Sequence, residues 1–133
     1  MAQAVRAGSV YFAIVFAAGF LLGTLRVFVL VPRLGETAAV LVELPVMLAL
    51  CWFASRRIVA AFDVGPRASA RLAMGGLAFA LLMSLEVGLS LLVFRQSLTE
   101  FLAHYAAPAG LAGLAAQALF GLIPLLQRGR DAR

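Results

Sequence analysis

The sequence predicts an all-α integral membrane protein, a four-helix bundle that forms one membrane domain over residues 1–133. Three observations predict it. Hydrophobic residues make up 64% of the chain and charged residues 13%, where soluble domains hold roughly 45–50% and about 25%. Four stretches are long and apolar enough to cross a bilayer, for which about 20 residues suffice. All 11 basic residues are arginine, and apart from Arg26 they collect at the ends of those stretches. Too few polar residues are present to coat a water-facing surface.

The first span is expected at Ser9–Val31. Although Arg6 precedes it, the run is longer than the apolar core of a signal peptide, and no small-residue cleavage motif follows. Pro32-Arg33-Leu34-Gly35-Glu36 reads as a tight turn into a second span, Thr37–Ala54, with a continuation to Phe62 left open. Gly65-Pro66 breaks the chain, Ser69 is a candidate N-cap, and the third span is expected at Ala70–Phe94. Ser97-Leu98-Thr99-Glu100 has the spacing of a capping box, and Leu98, Phe101, Leu102 and Tyr105 recur at helical intervals while Glu100 and His104 share a polar side. Residues 98–106 are therefore expected as a short amphipathic helix in the outer interface, partly covering the outer end of the bundle. Pro108 suits the first turn of the fourth span, Pro108–Leu126.

Charge orients these spans. Cytoplasmic flanks of membrane helices collect Lys and Arg. The N-terminus, second loop and C-terminus carry Arg6, Arg56, Arg57, Arg67, Arg71, Arg128, Arg130 and Arg133, whereas the first and third loops carry Arg33 and Arg95 alone. Both termini are thus expected in the cytoplasm. Arginines at span ends do not form a nucleic-acid patch. The single Cys51 excludes an internal disulfide, the single His104 excludes a bis-His haem or a His/Cys zinc cluster, and the absence of lysine excludes Schiff-base chemistry. No cofactor is implied. The partners implied are the lipid bilayer and either another membrane protein or a second copy of the chain.

The informative residues break the apolar runs. Counted at about 1.5 Å per residue, Arg26 lies roughly 8 Å, Glu43 roughly 9 Å, Glu86 roughly 12 Å and Gln117 roughly 14 Å inward from the outer ends of their spans. Each also shares a helical face with small or polar residues: Gly19 and Gly23 with Arg26, Glu36 and Met47 with Glu43, Ser90 with Glu86, and Gly110, Gly113 and Gly121 with Gln117. Those faces should point inward and form an intramembrane cluster of Arg26, Glu43, Glu86 and Gln117. Arg26 can pair with one glutamate. Unless Arg33, Arg95 or His104 reaches down, the second carboxyl is left without a cation and can take or release a proton. Glu36, Arg95, Glu100 and His104 are further candidates at the outer face.

Plainer readings accompany these. Buried Arg–Glu pairs often fix helix register without chemistry. Gly19-x-x-x-Gly23 reads as packing within the bundle, Pro45 and Pro124 as kinks, Cys51 as a core residue, Tyr11 and Trp52 as interface anchors, and His104 as an exposed interfacial residue. Thr24-Leu25-Arg26-Val27 echoes Ser84-Leu85-Glu86-Val87 on the other outward-running span, the pattern of a parallel hairpin repeat.

The stretch Gly19-Phe-Leu-Leu-Gly-Thr-Leu-Arg26, followed by Pro32-x-x-Gly35-Glu36, Glu43-Leu-Pro45 and Trp52, resembles a group of uncharacterised small four-helix inner-membrane proteins of Gram-negative bacteria, over most of the chain. The resemblance implies fold and a bacterial inner-membrane location, and no activity. The cluster offers carboxyls but neither a metal set nor an activated nucleophile, so an enzyme is not expected. The first expectation for function is a structural or accessory bundle held in register by the cluster. The alternative is a small proton-coupled transporter or channel in which Glu86 or Glu43 titrates and residues 98–106 form a lid.

Overall fold

The computed structural model describes residues 1–131, with side chains through Arg128. Four of its helices are long and apolar enough to cross a membrane. The first begins as Ala2–Leu25, passes through a π-helical turn at Arg26–Leu30 and ends as Val31–Leu34. Helix therefore continues through Pro32 and Arg33, and the expected five-residue turn shrinks to Gly35. That residue has φ +84°, a conformation glycine adopts without strain. The π turn falls just ahead of Pro32, whose missing N–H and bulky ring prevent a regular α turn there.

The second long helix runs Glu36–Ala61, taking up the extension beyond Ala54. The third runs Ala68–Gly88 and closes with a second π turn, Leu89–Val93. Its N-cap is Arg67 in extended backbone, whose carbonyl accepts the Arg71 N–H at 3.1 Å. Ser69 therefore lies inside the first turn instead of capping it. The short helix spans Leu98–His104, two residues less than expected at its C-terminal end. Ser97 Oγ caps it by accepting the Glu100 N–H at 3.1 Å. The fourth long helix runs Pro108–Asp131.

The first and fourth long helices each pack against the second and third. The second and third, consecutive in sequence, sit across the diagonal, so the 62–67 connection crosses one end of the assembly. That end also holds the start of the first helix and the end of the fourth; it is called the base here, and the end carrying Gly35 and Leu98–His104 the mouth. The third and fourth helices approach most closely at Gly75 and Gly121, where a Cβ on Gly75 would collide with the Gly121 carbonyl. Glycines thus supply the close approach that helices need in lipid, whereas Gly19 and Gly23 line the cavity nearer the mouth, Gly19 opposite the Met47 side chain. The exterior is apolar: Phe28 is 76% exposed and Leu92 81%, a surface suited to lipid.

The base is where the polar interior lies, and the sequence reading misplaces Tyr11 and Arg71. Tyr11 is fully buried rather than an interface anchor. Its hydroxyl donates to the Phe120 carbonyl at 2.8 Å, and its ring packs on Phe120 with centroids 4.5 Å apart. That carbonyl is the one a residue at 124 would normally bond, and Pro124 has no N–H to offer. Tyr11 supplies the missing donor. Trp52 is half-buried against the same core and its carbonyl accepts the Gln127 side-chain amide at 2.8 Å, while Ser55 Oγ donates to Gln127 Oε1 at 2.8 Å. Arg71, read as an orienting surface charge, is buried. Its Nε donates to the Gly65 carbonyl at 2.9 Å and one Nη to the Pro124 carbonyl at 3.1 Å, which ties the diagonal connection to the fourth helix. Arg133 lies outside the described residues.

The account of Pro124 makes a double-mutant prediction. Tyr11→Phe alone orphans a buried carbonyl and should cost about 1–3 kcal/mol. In a Pro124→Ala background the restored N–H takes that carbonyl, and the same substitution should cost less. Unfolding titrations in mixed detergent micelles measure both; equal costs in the two backgrounds contradict the assignment.

Candidate functional site

Above the base the helices border a half-open cavity of about 720 Å³ toward the mouth. Arg26, Glu43, Glu86 and Gln117, one from each long helix, all line it. Their packing partners explain the space. The π turn of the first helix packs against the second helix, and that of the third against the short helix, so these turns find their main neighbours elsewhere than in each other. Small residues widen the gap: Gly19, Gly23 and Gly113 are on the wall, and a Cβ at Gly113 would meet nothing within 4 Å.

The four polar groups separate into two arrangements. Arg26, the first residue of its π turn, places Nη1 2.9 Å from Glu43 Oε2, with the two side chains 31% and 11% exposed. The charges meet at ion-pair distance, but no N–H is aimed at Oε2 along a hydrogen bond. The glutamate paired with Arg26 is therefore the one on the second helix.

Glu86 belongs to the other arrangement. The Gln117 side-chain amide donates to its Oε1 and the Tyr105 hydroxyl donates to its Oε2 at 3.0 Å. Both carboxyl oxygens act as acceptors, and both donors are neutral. Burial, reinforced by the neighbouring Glu86, pushes the Tyr105 phenol up to about 12, so its hydroxyl stays protonated and available as a donor through neutral pH. Among the described residues, Gln117 Oε1 is a buried acceptor without a hydrogen-bond partner.

Tyr105 is the functional residue that sequence reasoning placed only on an apolar stripe. A tyrosine combines an apolar ring with a polar tip, and the tip, just past the end of the short helix, is what reaches Glu86. Phe101 beneath it is buried and meets the Tyr105 ring edge-on with centroids 5.3 Å apart, which holds the phenol over the cavity. Of the four outer-face candidates, Glu36 and His104 line the cavity. His104 is exposed, its ring 5.6 Å from that of Tyr105. Arg95 and Glu100 are exposed away from the wall, Arg95 with φ +54° in the turn after the third helix and Glu100 in the first turn of the short helix. No group of three His, Cys, Asp or Glu side chains among the described residues could hold a metal ion.

No protein-family model matches the chain, and no curated protein or solved structure matches it either.

The division into two arrangements predicts unequal stability effects. Arg26→Gln leaves Glu43 as an uncompensated charge and should cost on the order of 3 kcal/mol, reduced to the extent that water reaches the pair. Adding Glu43→Gln should recover most of that loss. Glu86→Gln keeps groups that can bond Tyr105 and Gln117 and should cost least. Thermal unfolding in detergent compares the three variants with the parent protein, and equal losses in all three contradict the division.

Proposed function

We propose that the chain is a multi-pass protein of the bacterial inner membrane, a four-helix bundle with both termini cytoplasmic, whose cavity is a small-molecule vestibule facing the periplasm. The single observation that carries this reading is that four polar side chains, an arginine, two glutamates and a glutamine, one from each long helix, line one space of about 720 Å³. Polar residues kept only for helix register would be packed shut, because open polar surface in a membrane costs free energy and gains no packing. Register already has its own device in the Tyr11, Arg71 and Gln127 contacts of the base.

The size falls within the roughly 300–1,000 Å³ range of ligand pockets, and a mainly apolar wall with a few converging polar groups is the usual make-up of such sites. The reading assigns binding, and through it transport, rather than bond-making chemistry: two carboxyls and an amide supply no nucleophile with a base beside it. Leu98–His104 lies in the outer interface with Leu98 and Leu102 turned outward, 58% and 57% exposed. Through Tyr105 it covers part of the mouth.

Site-directed labelling tests the reading. With Cys51→Ala as background, Gly113→Cys puts a thiol on the cavity wall and Gly76→Cys puts one where the helix surface is open outside the cavity. A membrane-impermeant maleimide added to intact spheroplasts should modify the first and spare the second. Protection of both, or modification of Gly113→Cys only in inverted vesicles, contradicts the proposal.

A further inference from the structure

What a ligand must bring is set by what the cavity still lacks. Arg26 faces three carboxylate side chains on the wall, Glu36, Glu43 and Glu86, and its own charge is engaged by Glu43 at 2.9 Å. Glu86 is hydrogen-bonded by the neutral donors Tyr105 and Gln117, and the one nearby group that can bring it positive charge among the described residues is the exposed His104. The two buried side-chain atoms without a hydrogen-bond partner among the described residues are Glu43 Oε2 and Gln117 Oε1, both acceptors and both on this wall. The site is thus short of positive charge and of N–H donors together. A carboxylate ligand would meet Glu36, Glu43 and Glu86 on the same wall, and a neutral one would bring no charge to Glu86 in a low-dielectric space, where an opposite charge is worth most.

The remaining wall describes the body of the ligand. It is mainly apolar, with the rings of Phe16, Phe94 and Phe101 among its members, and aromatic faces attract cations as well as apolar groups. We propose that the cavity takes a protonated primary or secondary amine carried on a compact apolar body, the ammonium hydrogens bonding Gln117 Oε1 and the Glu86 carboxylate. This rests on the vestibule reading above and adds the substrate class to it. Tyr105 is a positioning residue here: its hydroxyl holds one Glu86 oxygen, leaving the carboxylate oriented toward Gln117.

Three probes that share one cage and differ in charge test it: 1-adamantanamine, 1-adamantanol and 1-adamantanecarboxylate. The readout is the rate at which the thiol of purified full-length Gly113→Cys, Cys51→Ala protein reacts with maleimide in detergent. The amine should slow the reaction saturably; the alcohol should need at least about tenfold more for equal protection, the loss of one charge interaction; and the carboxylate should not protect. Glu86→Gln should raise the half-protecting amine concentration about tenfold, with Glu86→Asp retaining part of the effect. If Glu86→Gln fails to fold, the three probes on the protein with Glu86 intact decide alone. Equal protection by alcohol and amine, protection by the carboxylate, or a thiol that reacts but is not protected by the amine overturns the amine assignment and leaves the vestibule standing. A thiol that never reacts overturns both.

Discussion

A single missing hydrogen bond organises the base. In hydrocarbon every backbone polar group must find a partner within the protein, and Pro124 leaves the Phe120 carbonyl without its helical donor. Tyr11 from the first helix fills the vacancy at 2.8 Å, across the diagonal of the assembly, which draws the first and fourth helices toward the centre. The Pro124 carbonyl accepts from Arg71 at 3.1 Å. One proline thus links three helices, and around it lie Met74, Ala78, Cys51 and Ile123, all buried.

The consequence appears at the other end. Because the helices are tied together at the base, they need not touch at the mouth, and the space left there holds the polar groups that the base does not use. The two regions treat polarity oppositely. At the base Ser55 and the Gln127 side-chain amide meet protein partners at 2.8 Å, a satisfied network of the kind that rigidifies an interior. Around the cavity the network stops short: Glu43 is paired ionically, Glu86 is held by neutral donors, and Gln117 keeps an acceptor unused. An incomplete network in an open space is what a binding site retains for its ligand, and it is the basis of the function proposed for the chain.

Hydropathy made the four spans legible, because about 20 apolar residues in a row have few alternatives. That Arg26, Glu43, Glu86 and Gln117 face one space was also legible, since the angle per residue is fixed in a helix. Three things were not. Arg71 looks like the other arginines near span ends, and nothing in its local sequence announces that carbonyls of the 62–67 connection and of Pro124 will surround it. Tyr11 and Tyr105 each have the composition of an interface anchor, yet one seals the base and the other reaches Glu86; the difference lies in partners more than 15 residues away along the chain. The partner of Arg26 depended on which helices are neighbours, and helical periodicity does not encode adjacency.

The proposed vestibule requires one end to be dry and closed while the other admits water, and two glutamines report on the two ends separately. Gln127 lies in the base, bonded to Ser55 and the Trp52 carbonyl, and Gln117 lies on the cavity wall. Water-edited solid-state NMR of the protein in bilayers, with side-chain amides resolved, measures how quickly polarisation from water reaches each. Rapid transfer to Gln117 and slow transfer to Gln127 is the predicted result. Slow transfer to both would mean a sealed mouth and contradict the account.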